Sequence, residues 1–297
     1  MKLDRRLTQG LFLLAAPIVA GSTLSTPTLA ATFASSDSAV NLFNFSQAPA
    51  SGSFSLDADA QAFNLGVLDP GSTFDGGDSV SSSAGSGSIF AGAEANATLL
   101  FNEDPAEAFN NTSNFIEGNG REYSVFTNSS AQVIGNFFLE TPSLFSFDFE
   151  ISSILDIAID DLATEKARAS SDISFAIFGG TSQSDLTLLD AFSISALLNT
   201  RQPDQNTTIQ ASSNNFNFSQ QSGSSFGSSQ MEESIAFFVE GSYERSFNAP
   251  TYLTVVEVKN GNAAVEVPEP FESSILLSLL VTVGTIGMRS KLKSKKL

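Results

Sequence analysis

The chain has 297 residues, with 32 acidic and 14 basic side chains, a formal net charge of −18, and neither cysteine nor histidine. The lack of cysteine excludes disulfides, thiolate catalysis and iron–sulfur clusters. The lack of histidine excludes Ser-His-Asp catalysis and the zinc or haem sites that imidazole ligands build. Stability must therefore come from packing, and we expect no cofactor.

The first thirty residues have the order of a secretory signal peptide. Lys2, Arg5 and Arg6 precede the apolar run 11–20, and the segment closes on small residues at Ala30. This order is typical of a leader that signal peptidase removes, so we expect cleavage after Ala30 and export of the remaining chain.

The segment after Ala30 is strongly acidic. Residues 31–267 contain six basic and 29 acidic side chains. Such a surface repels nucleic acid and anionic lipid, so we expect no nucleic-acid partner. The length is within reach of one all-β domain with a sizeable core.

The first part of this segment alternates short strand patterns with polar breaks. Apolar and polar residues alternate in 53–58, which predicts a strand, and 42–45 and the small residues 91–100 predict two more. The remaining stretches predict turns at 69–72 and 74–78, a Ser/Gly-rich linker-like stretch at 79–92, and a long surface loop at 103–120.

The middle of the chain carries the clearest strand patterns. Residues 121–140 and 143–159 are rich in Phe, Ile and Val, and 144–151 alternates almost without fault. Thr141-Pro142 predicts a hairpin-like break between them. Residues 163–169 contain the one run of local helix formers, which is equally consistent with a connection between two strands.

Strand patterns continue to the end of the segment. They lie at 172–178, 186–198, 234–240 and 251–258, with a Ser/Asn/Gly-rich stretch at 212–230. About ten strands and almost no amphipathic helix predict an all-β domain over residues 31–262, an antiparallel β-sandwich of jelly-roll-like form. The 27 phenylalanines are expected to lie chiefly in its core.

With cysteine and histidine absent, carboxylates are the side chains left as candidates for catalysis. A glycosidase needs only two acidic groups about 5–10 Å apart, and Asp148 with Glu150, or Asp156 with Asp160, could form such a pair. With 29 acidic side chains to choose from, solvated surface carboxylates are the better interpretation. We therefore expect no enzymatic activity and assign no catalytic residue.

Calcium and sugar binding are alternatives that the residues leave open. Carboxylates in a Gly-rich stretch offer the hard oxygen ligands of calcium, but the spacing of Asp69, Asp75 and Asp78 does not match an EF-hand loop, and we assign no metal site. Sugar sites usually present Trp or Tyr faces. The chain has no Trp, and its three tyrosines are Tyr123, Tyr243 and Tyr252.

The C-terminus has three consecutive parts. The motif Val267-Pro268-Glu269-Pro270 precedes an uncharged, mostly apolar run at 273–288. A helix of this length, at about 1.5 Å per residue, is slightly short for a bilayer. Basic residues after it suit the cytoplasmic side, so we expect a single C-terminal transmembrane helix. The basic cluster consists of Arg289, Lys291, Lys293, Lys295 and Lys296.

This three-part order resembles the PEP-CTERM sorting signal of exported bacterial proteins, and we assign residues 263–297 to it. The resemblance implies that Val267, Pro268, Glu269 and Pro270 are recognised by a membrane-embedded processing enzyme, an exosortase. It also implies that the helix holds the protein at the membrane before processing, while the basic cluster fixes orientation. A lipid-anchor signal is disfavoured because it ends on its hydrophobic run.

A leader and a sorting signal frame one exported cargo. We expect a cell-envelope or extracellular-matrix protein of structural or adhesive type, anchored in the membrane at first. Its expected partners are signal peptidase, the exosortase-type enzyme and, as an open question, extracellular polysaccharide. The alternative is a secreted carboxylate-dependent hydrolase or carbohydrate-binding module that acts on extracellular polysaccharide.

Overall fold

The computed structural model describes residues 31–64, 67–70, 77–84, 87–100, 106–119, 123–140, 143–200, 206–211, 214–229 and 231–267. These residues form fourteen strands and no helix. The strands are β1 (Ala31–Phe43), β2 (Ser51–Asn64), β3 (Val67–Pro70), β4 (Gly77–Ala84), β5 (Gly87–Leu100), β6 (Glu107–Asn119), β7 (Tyr123–Leu139), β8 (Ser143–Ala158), β9 (Lys166–Gly180), β10 (Thr187–Asn199), β11 (Asn206–Ala211), β12 (Phe216–Ser229), β13 (Glu232–Phe247) and β14 (Thr251–Val267).

The strands form two antiparallel sheets of seven strands each. Sheet A has the order β12-β13-β8-β1-β6-β5-β4, and sheet B has the order β11-β10-β9-β14-β7-β2-β3. The sheets face each other: β14 contacts β1 and β6, and β9 contacts β1 and β8. Buried side chains from both sheets join one core cluster. The expected all-β, antiparallel, sandwich-like fold is therefore confirmed.

The first and last strands lie at the centres of the two sheets. β1 pairs with β6 on one side and β8 on the other. β14 pairs with β7 on one side, along its whole length, and with β9 on the other side. Residues 263–267, assigned above to the sorting signal, thus belong to the last strand, and the domain extends to Val267 rather than ending at residue 262.

One part of the interior is filled with aromatic rings. The Phe149 side chain is fully buried and its ring centroid lies 5.7 Å from those of Phe175 and Phe192, which belong to the opposite sheet. Rings at these distances pack as offset or edge-to-face pairs. We call this the aromatic region; it comprises Phe145, Phe147, Phe149, Phe175, Phe192, Phe216 and Tyr243.

Another part of the interior is lined by polar side chains. Here the Ser38 hydroxyl contacts those of Ser153 at 2.8 Å and Ser171 at 2.7 Å, and the Asn114 amide donates to the Ser129 hydroxyl at 2.6 Å. These bonds run across the strands and between the sheets. We call this the polar region; it comprises Ser36, Ser38, Asn110, Thr112, Asn114, Ser129, Ser153, Ser171, Glu257 and Lys259, all buried.

The main error of the sequence analysis falls on residues 103–120. We expected a surface loop there, but residues 107–119 form β6, which pairs with β1 and β5 inside sheet A. Its inward positions alternate with outward ones, yet Asn110, Thr112 and Asn114 occupy the inward side. A period-2 pattern of hydrophobicity was absent because the buried face itself is polar.

Other expectations need smaller corrections. The Ser-rich residues 216–229 form the edge strand β12, and the run 163–169 leads into β9 without a helix. β7 and β8 belong to different sheets, so they are not a hairpin. Phenylalanine is also less confined to the core than expected, since Phe54 is 55% exposed and Phe90 is 49% exposed.

Candidate functional site

The residues of the expected sorting signal lie mostly outside the described part of the chain. Ala30, Pro268, Glu269, Pro270 and the basic cluster at Arg289, Lys291, Lys293, Lys295 and Lys296 are among the residues that the structure does not describe. Val267 is described: it is the last residue of β14, is buried, and pairs with Tyr123 of β7. Val267 is therefore the one motif residue that the structure describes.

Within the described residues, no helix has the length and apolar character needed to cross a membrane. The expected helix at 273–288 lies outside them.

The three aspartates considered as calcium ligands share no described site. Asp69 lies in β3 and Asp78 in β4, so these two residues are not in turns as predicted. Asp75 and the side chains of all three aspartates lie outside the described part of the chain. Among described side chains, no group of three acidic residues is arranged to hold a metal ion.

Asp148 and Glu150, the first pair considered for a glycosidase, lie on the outer face of sheet A. Asp148 and Glu150 alternate with buried phenylalanines along β8, so both point away from the core. The Asp148 carboxylate accepts a hydrogen bond of 2.7 Å from the Asn44 side chain, and Asn44 has a left-handed φ of 53°. Asp148 is thus held by a local contact at the end of β1.

Glu150 has an acidic neighbour that the sequence analysis did not identify. Its position directly opposes Glu240 of β13 in the antiparallel register. Cβ atoms of such opposed residues lie about 5 Å apart, and like charges there repel. Burial, and then the Glu240 charge, raise the pKa of Glu150 above its ordinary value.

The second pair considered, Asp156 and Asp160, is divided between a strand and a turn. Asp156 lies on the outer face of β8, opposite Ser35 of β1, whereas Asp160 lies in the turn after this strand. The main-chain N–H of Asp160 donates to Glu165 at 2.7 Å. Nearer to Asp156 is Asp37 of β1, whose pKa is raised by burial, with the Asp156 charge a lesser cause.

The three tyrosines divide between interior and surface. Tyr123 and Tyr243 are buried, and burial raises the pKa of both, in the case of Tyr123 to about 12. Tyr252 lies on the outer side of β14, where its ring centroid is 4.7 Å from that of Phe138 on β7. This aromatic pair is the one tyrosine-bearing surface among the described residues.

A buried carboxylate connects the two sheets at the aromatic region. Asp190 of β10 accepts hydrogen bonds from the Tyr243 hydroxyl at 2.6 Å and from the Arg245 guanidinium at 2.7 Å, both on β13. The register of β10 against β9 shifts between Leu188 and Asp190. Such a bulge re-aims a side chain, and here it turns Asp190 toward the interior.

The polar region contains a lysine and a glutamate that the sequence analysis did not single out. Lys259 is 0% exposed and Glu257 is 1% exposed, and both lie on the inward side of β14. The Lys259 Nζ donates to the main-chain oxygen of Asn110 at 2.7 Å and to that of Ser38 at 3.1 Å. The Asn110 side-chain Nδ2 donates to Glu257 Oε2.

Burial acts on the two ionisable groups in opposite directions. It raises the pKa of Glu257, against the smaller effects of the Lys259 charge and the Asn110 hydrogen bond. It lowers the pKa of Lys259, against the smaller effect of the Glu257 charge. Both shifts favour the neutral forms, a carboxylic acid and a free amine, because charge is poorly solvated there.

No family model and no curated protein matches the chain. A solved structure of the ETEC pilotin–secretin AspS–GspD complex aligns with a TM-score of 0.09 and 7% sequence identity, over 98% of this chain and 58% of that chain. A similarity of this size carries no argument about fold or function. What the protein does must therefore be argued from its own residues.

Proposed function

We propose that the chain is an exported, non-enzymatic protein of the cell envelope or extracellular matrix, sorted and processed at Pro268-Glu269-Pro270. The observation that supports this is that β14 is paired up to Val267, the first residue of the motif and the last that the structure describes. A recognition motif must be reachable by the processing enzyme, and proline ends strand pairing because it lacks an N–H. We therefore expect Pro268 and Pro270 to lie beyond the paired part of β14.

The pairing of β14 explains how a tail could be removed without loss of the domain. Val267 opposes Tyr123, and Glu266 opposes Ser124 on β7 and Lys166 on β9. The Lys166 ammonium also forms an ion pair with the Glu266 carboxylate. Cleavage beyond Val267 leaves all of these contacts in place, so the cargo keeps its central strand.

The finer features of the proposal come from the sequence. Residues 273–288 form the transmembrane helix, the basic cluster faces the cytoplasm, and a membrane-embedded exosortase-type enzyme acts on the motif after signal peptidase has acted at Ala30. The jelly-roll-like form is also part of the proposal. It is supported by the crossing of the chain between sheets at β6–β7, β7–β8 and β8–β9.

A structural or adhesive role fits the outer face of sheet A. Asp148, Glu150 and Glu240 alternate with inward-facing residues and lie on an extended, open sheet surface. A hydrolase would instead need two carboxyl groups that flank a bound sugar in a water-excluding cleft. We therefore favour display of an acidic surface over polysaccharide hydrolysis.

Carbohydrate binding is the second candidate, and one observation favours it. Tyr252 and Phe138 lie side by side on the outer face of sheet B, 4.7 Å between ring centroids. Paired aromatic faces with a hydroxyl edge are what a sugar ring stacks on. Loss of retention on a polysaccharide column in a Tyr252→Ala variant would support this role, and equal retention of wild type and variant would exclude it.

The sorting proposal is tested by expressing the full chain in its native cells with Pro268, Glu269 and Pro270 all replaced by alanine. We expect the wild type to be recovered without the residues after the motif, and the variant to keep them and stay in the membrane fraction. Intact-mass analysis of each fraction measures this. Glu272→Ala, two residues beyond the motif, is the matched control. Equal trimming of the triple variant and wild type would overturn the proposal.

A further inference from the structure

The polar region brings together the three groups of an amide-transfer reaction. A primary amine, Lys259 Nζ, hydrogen-bonds the main chain of Asn110, while the primary amide of Asn110 hydrogen-bonds Glu257. The amine and the amide lie on strands of opposite sheets, β14 and β6. The Lys259 amine (the nucleophile), the Asn110 amide (the acyl group) and the Glu257 carboxyl group (the proton carrier) therefore lie together around Asn110.

The surroundings exclude water from these groups. In sheet B, Glu257 is flanked by Val133 and Phe175, and Lys259 by Ala131 and Ile173, and all four are buried. A buried amine in such walls loses its proton readily and is then nucleophilic. The directions of the Lys259 and Glu257 pKa shifts agree with this.

The hydrogen bonds at this site are also incomplete. Among the described residues, Glu257 Oε1 and Asn110 Oδ1 are buried without a partner, and Lys259 and Glu257 form no ion pair. A lysine and a glutamate kept only for stability would be expected to pair, since an unpaired buried charge is costly. Both instead contact Asn110.

We propose that Lys259 and Asn110 form an intramolecular isopeptide bond, with Glu257 as the catalytic residue. The bond would join β14 to β6 and therefore sheet B to sheet A. It does not depend on the sorting signal, because every group that it needs lies within the described fold.

The reaction is balanced without an oxidant or a cofactor. The Nζ lone pair forms a bond to Asn110 Cγ, and the carbonyl electron pair moves onto Oδ1. The Glu257 carboxyl group gives its proton to Nδ2 and takes one from Nζ. The electron pair on Oδ1 then re-forms the carbonyl, the Cγ–Nδ2 bond breaks and ammonia leaves, so a primary amide and an amine become a secondary amide.

The Asn110 amide can take part in two orientations. As placed, Nδ2 donates to Glu257 Oε2. Rotation of the amide by half a turn exchanges its oxygen and nitrogen, and Oδ1 then accepts a hydrogen bond from the protonated carboxyl group. That second orientation polarises the carbonyl toward attack. Rotation about side-chain bonds brings Nζ, already 2.7 Å from the Asn110 main-chain oxygen, onto Cγ.

The test is a peptide map of the folded, full-length protein. Chymotrypsin cuts after aromatic residues. Cleavage after Phe109 and Phe115 releases the peptide 110–115, which contains Asn110. Cleavage after Tyr252 and Phe271 releases the peptide 253–271, which contains Lys259. We expect one branched peptide that contains both segments, lighter by one ammonia than their sum. Fragmentation should place the branch at Asn110 and Lys259. Protein that has never folded, recovered from insoluble aggregates and kept in denaturant throughout, should give two linear peptides.

The variants separate the roles of the three residues. Asn110→Ala and Lys259→Met should abolish the branched peptide, and Glu257→Gln should slow its appearance by at least an order of magnitude. Asn111→Ala, on the outward side of the same strand, should retain it. Linear peptides from folded wild type after prolonged incubation at neutral pH would overturn the proposal whatever the variants do. A branch at Asn114 would overturn the assignment of the acceptor, and an unchanged rate in Glu257→Gln would overturn the catalytic role.

Discussion

The aromatic region and the polar region occupy the same interlayer space and are held together differently. Around Phe149, rings from both sheets pack at centroid distances of 5.7 Å. Around Lys259, small hydroxyls and amides from both sheets exchange hydrogen bonds. Apolar packing is non-directional, whereas hydrogen bonds in the interior hold particular polar atoms against each other. The aromatic region thus supplies stability, and the polar region supplies specific alignment of the sheets.

The polar region should nevertheless show the larger single-residue effect if its covalent bond forms. Asn110→Ala removes a link between residues 149 apart in sequence, and a cross-link of this span contributes about 5 kcal/mol by restricting the unfolded chain. We expect a correspondingly lower midpoint in guanidinium unfolding. Asn111→Ala is the control, and equal midpoints for the two variants would contradict the expectation.

In the aromatic region, Phe149→Ala should lower the free energy of unfolding by about 4 kcal/mol, because it leaves a cavity among rings that belong to both sheets. Urea unfolding measures this. Phe54, which is 55% exposed, provides the control, and Phe54→Ala should be nearly neutral. A small cost for Phe149→Ala would mean that the neighbouring rings collapse into the space.

Two glycines probe the rigidity of the regions with the same substitution. A Cβ on Gly241 would meet the main-chain oxygen of Asn217 at 2.5 Å and the Phe149 ring at 2.6 Å. A Cβ on Gly261 would meet the Asn114 amide at 2.5 Å, and that side chain can move. We expect Gly241→Ala to cost about 3 kcal/mol and Gly261→Ala about 1 kcal/mol. Thermal unfolding of both variants measures the two costs. A larger cost for Gly261→Ala than for Gly241→Ala would show that the polar region is the more rigid.

The smallest expected effect lies outside both regions. Glu240→Gln removes the charge that opposes Glu150 and should raise the melting temperature by about 1–2 °C at neutral pH. The pKa of Glu150 is raised in the folded protein. Its ionisation therefore weakens the fold as pH rises through that value, and the penalty is absent below the ordinary value of 4.5.

The advantage of Glu240→Gln should accordingly disappear near pH 4. Glu244→Gln, on the same strand but opposite Ser146, should change the melting temperature at neither pH. An advantage of Glu240→Gln that persists under acid would show that charge repulsion is not its cause.

The sequence could predict the aromatic region because its strands alternate. In β8, Phe145, Phe147 and Phe149 occupy every second position between polar residues, which is the pattern of a half-buried strand. The two-sheet architecture could be inferred from the number of such strands. The order of strands in each sheet could not, because long-range pairing leaves no local pattern.

The polar region could not be predicted in the same way. Along β14, Val256 and Val258 made the outward face look as apolar as the inward one, so nothing marked Glu257 and Lys259 as buried. The middle of β6, from Asn110 to Asn114, is polar on both faces, and the segment was interpreted as a loop. In sequence, a buried polar strand looks like a surface loop. The two differ in whether polar side chains of the opposite sheet lie across the core to form hydrogen bonds with it, and only the structure shows those side chains.

The central positions of β1 and β14 bear on when the protein can fold. A chain that crosses a membrane with its N-terminus first delivers β14 last. Until then β7 and β9 lack the strand that joins them, and sheet B stays divided into two incomplete halves. If the chain is exported as proposed, sheet B can therefore be completed only after β14 has crossed the membrane.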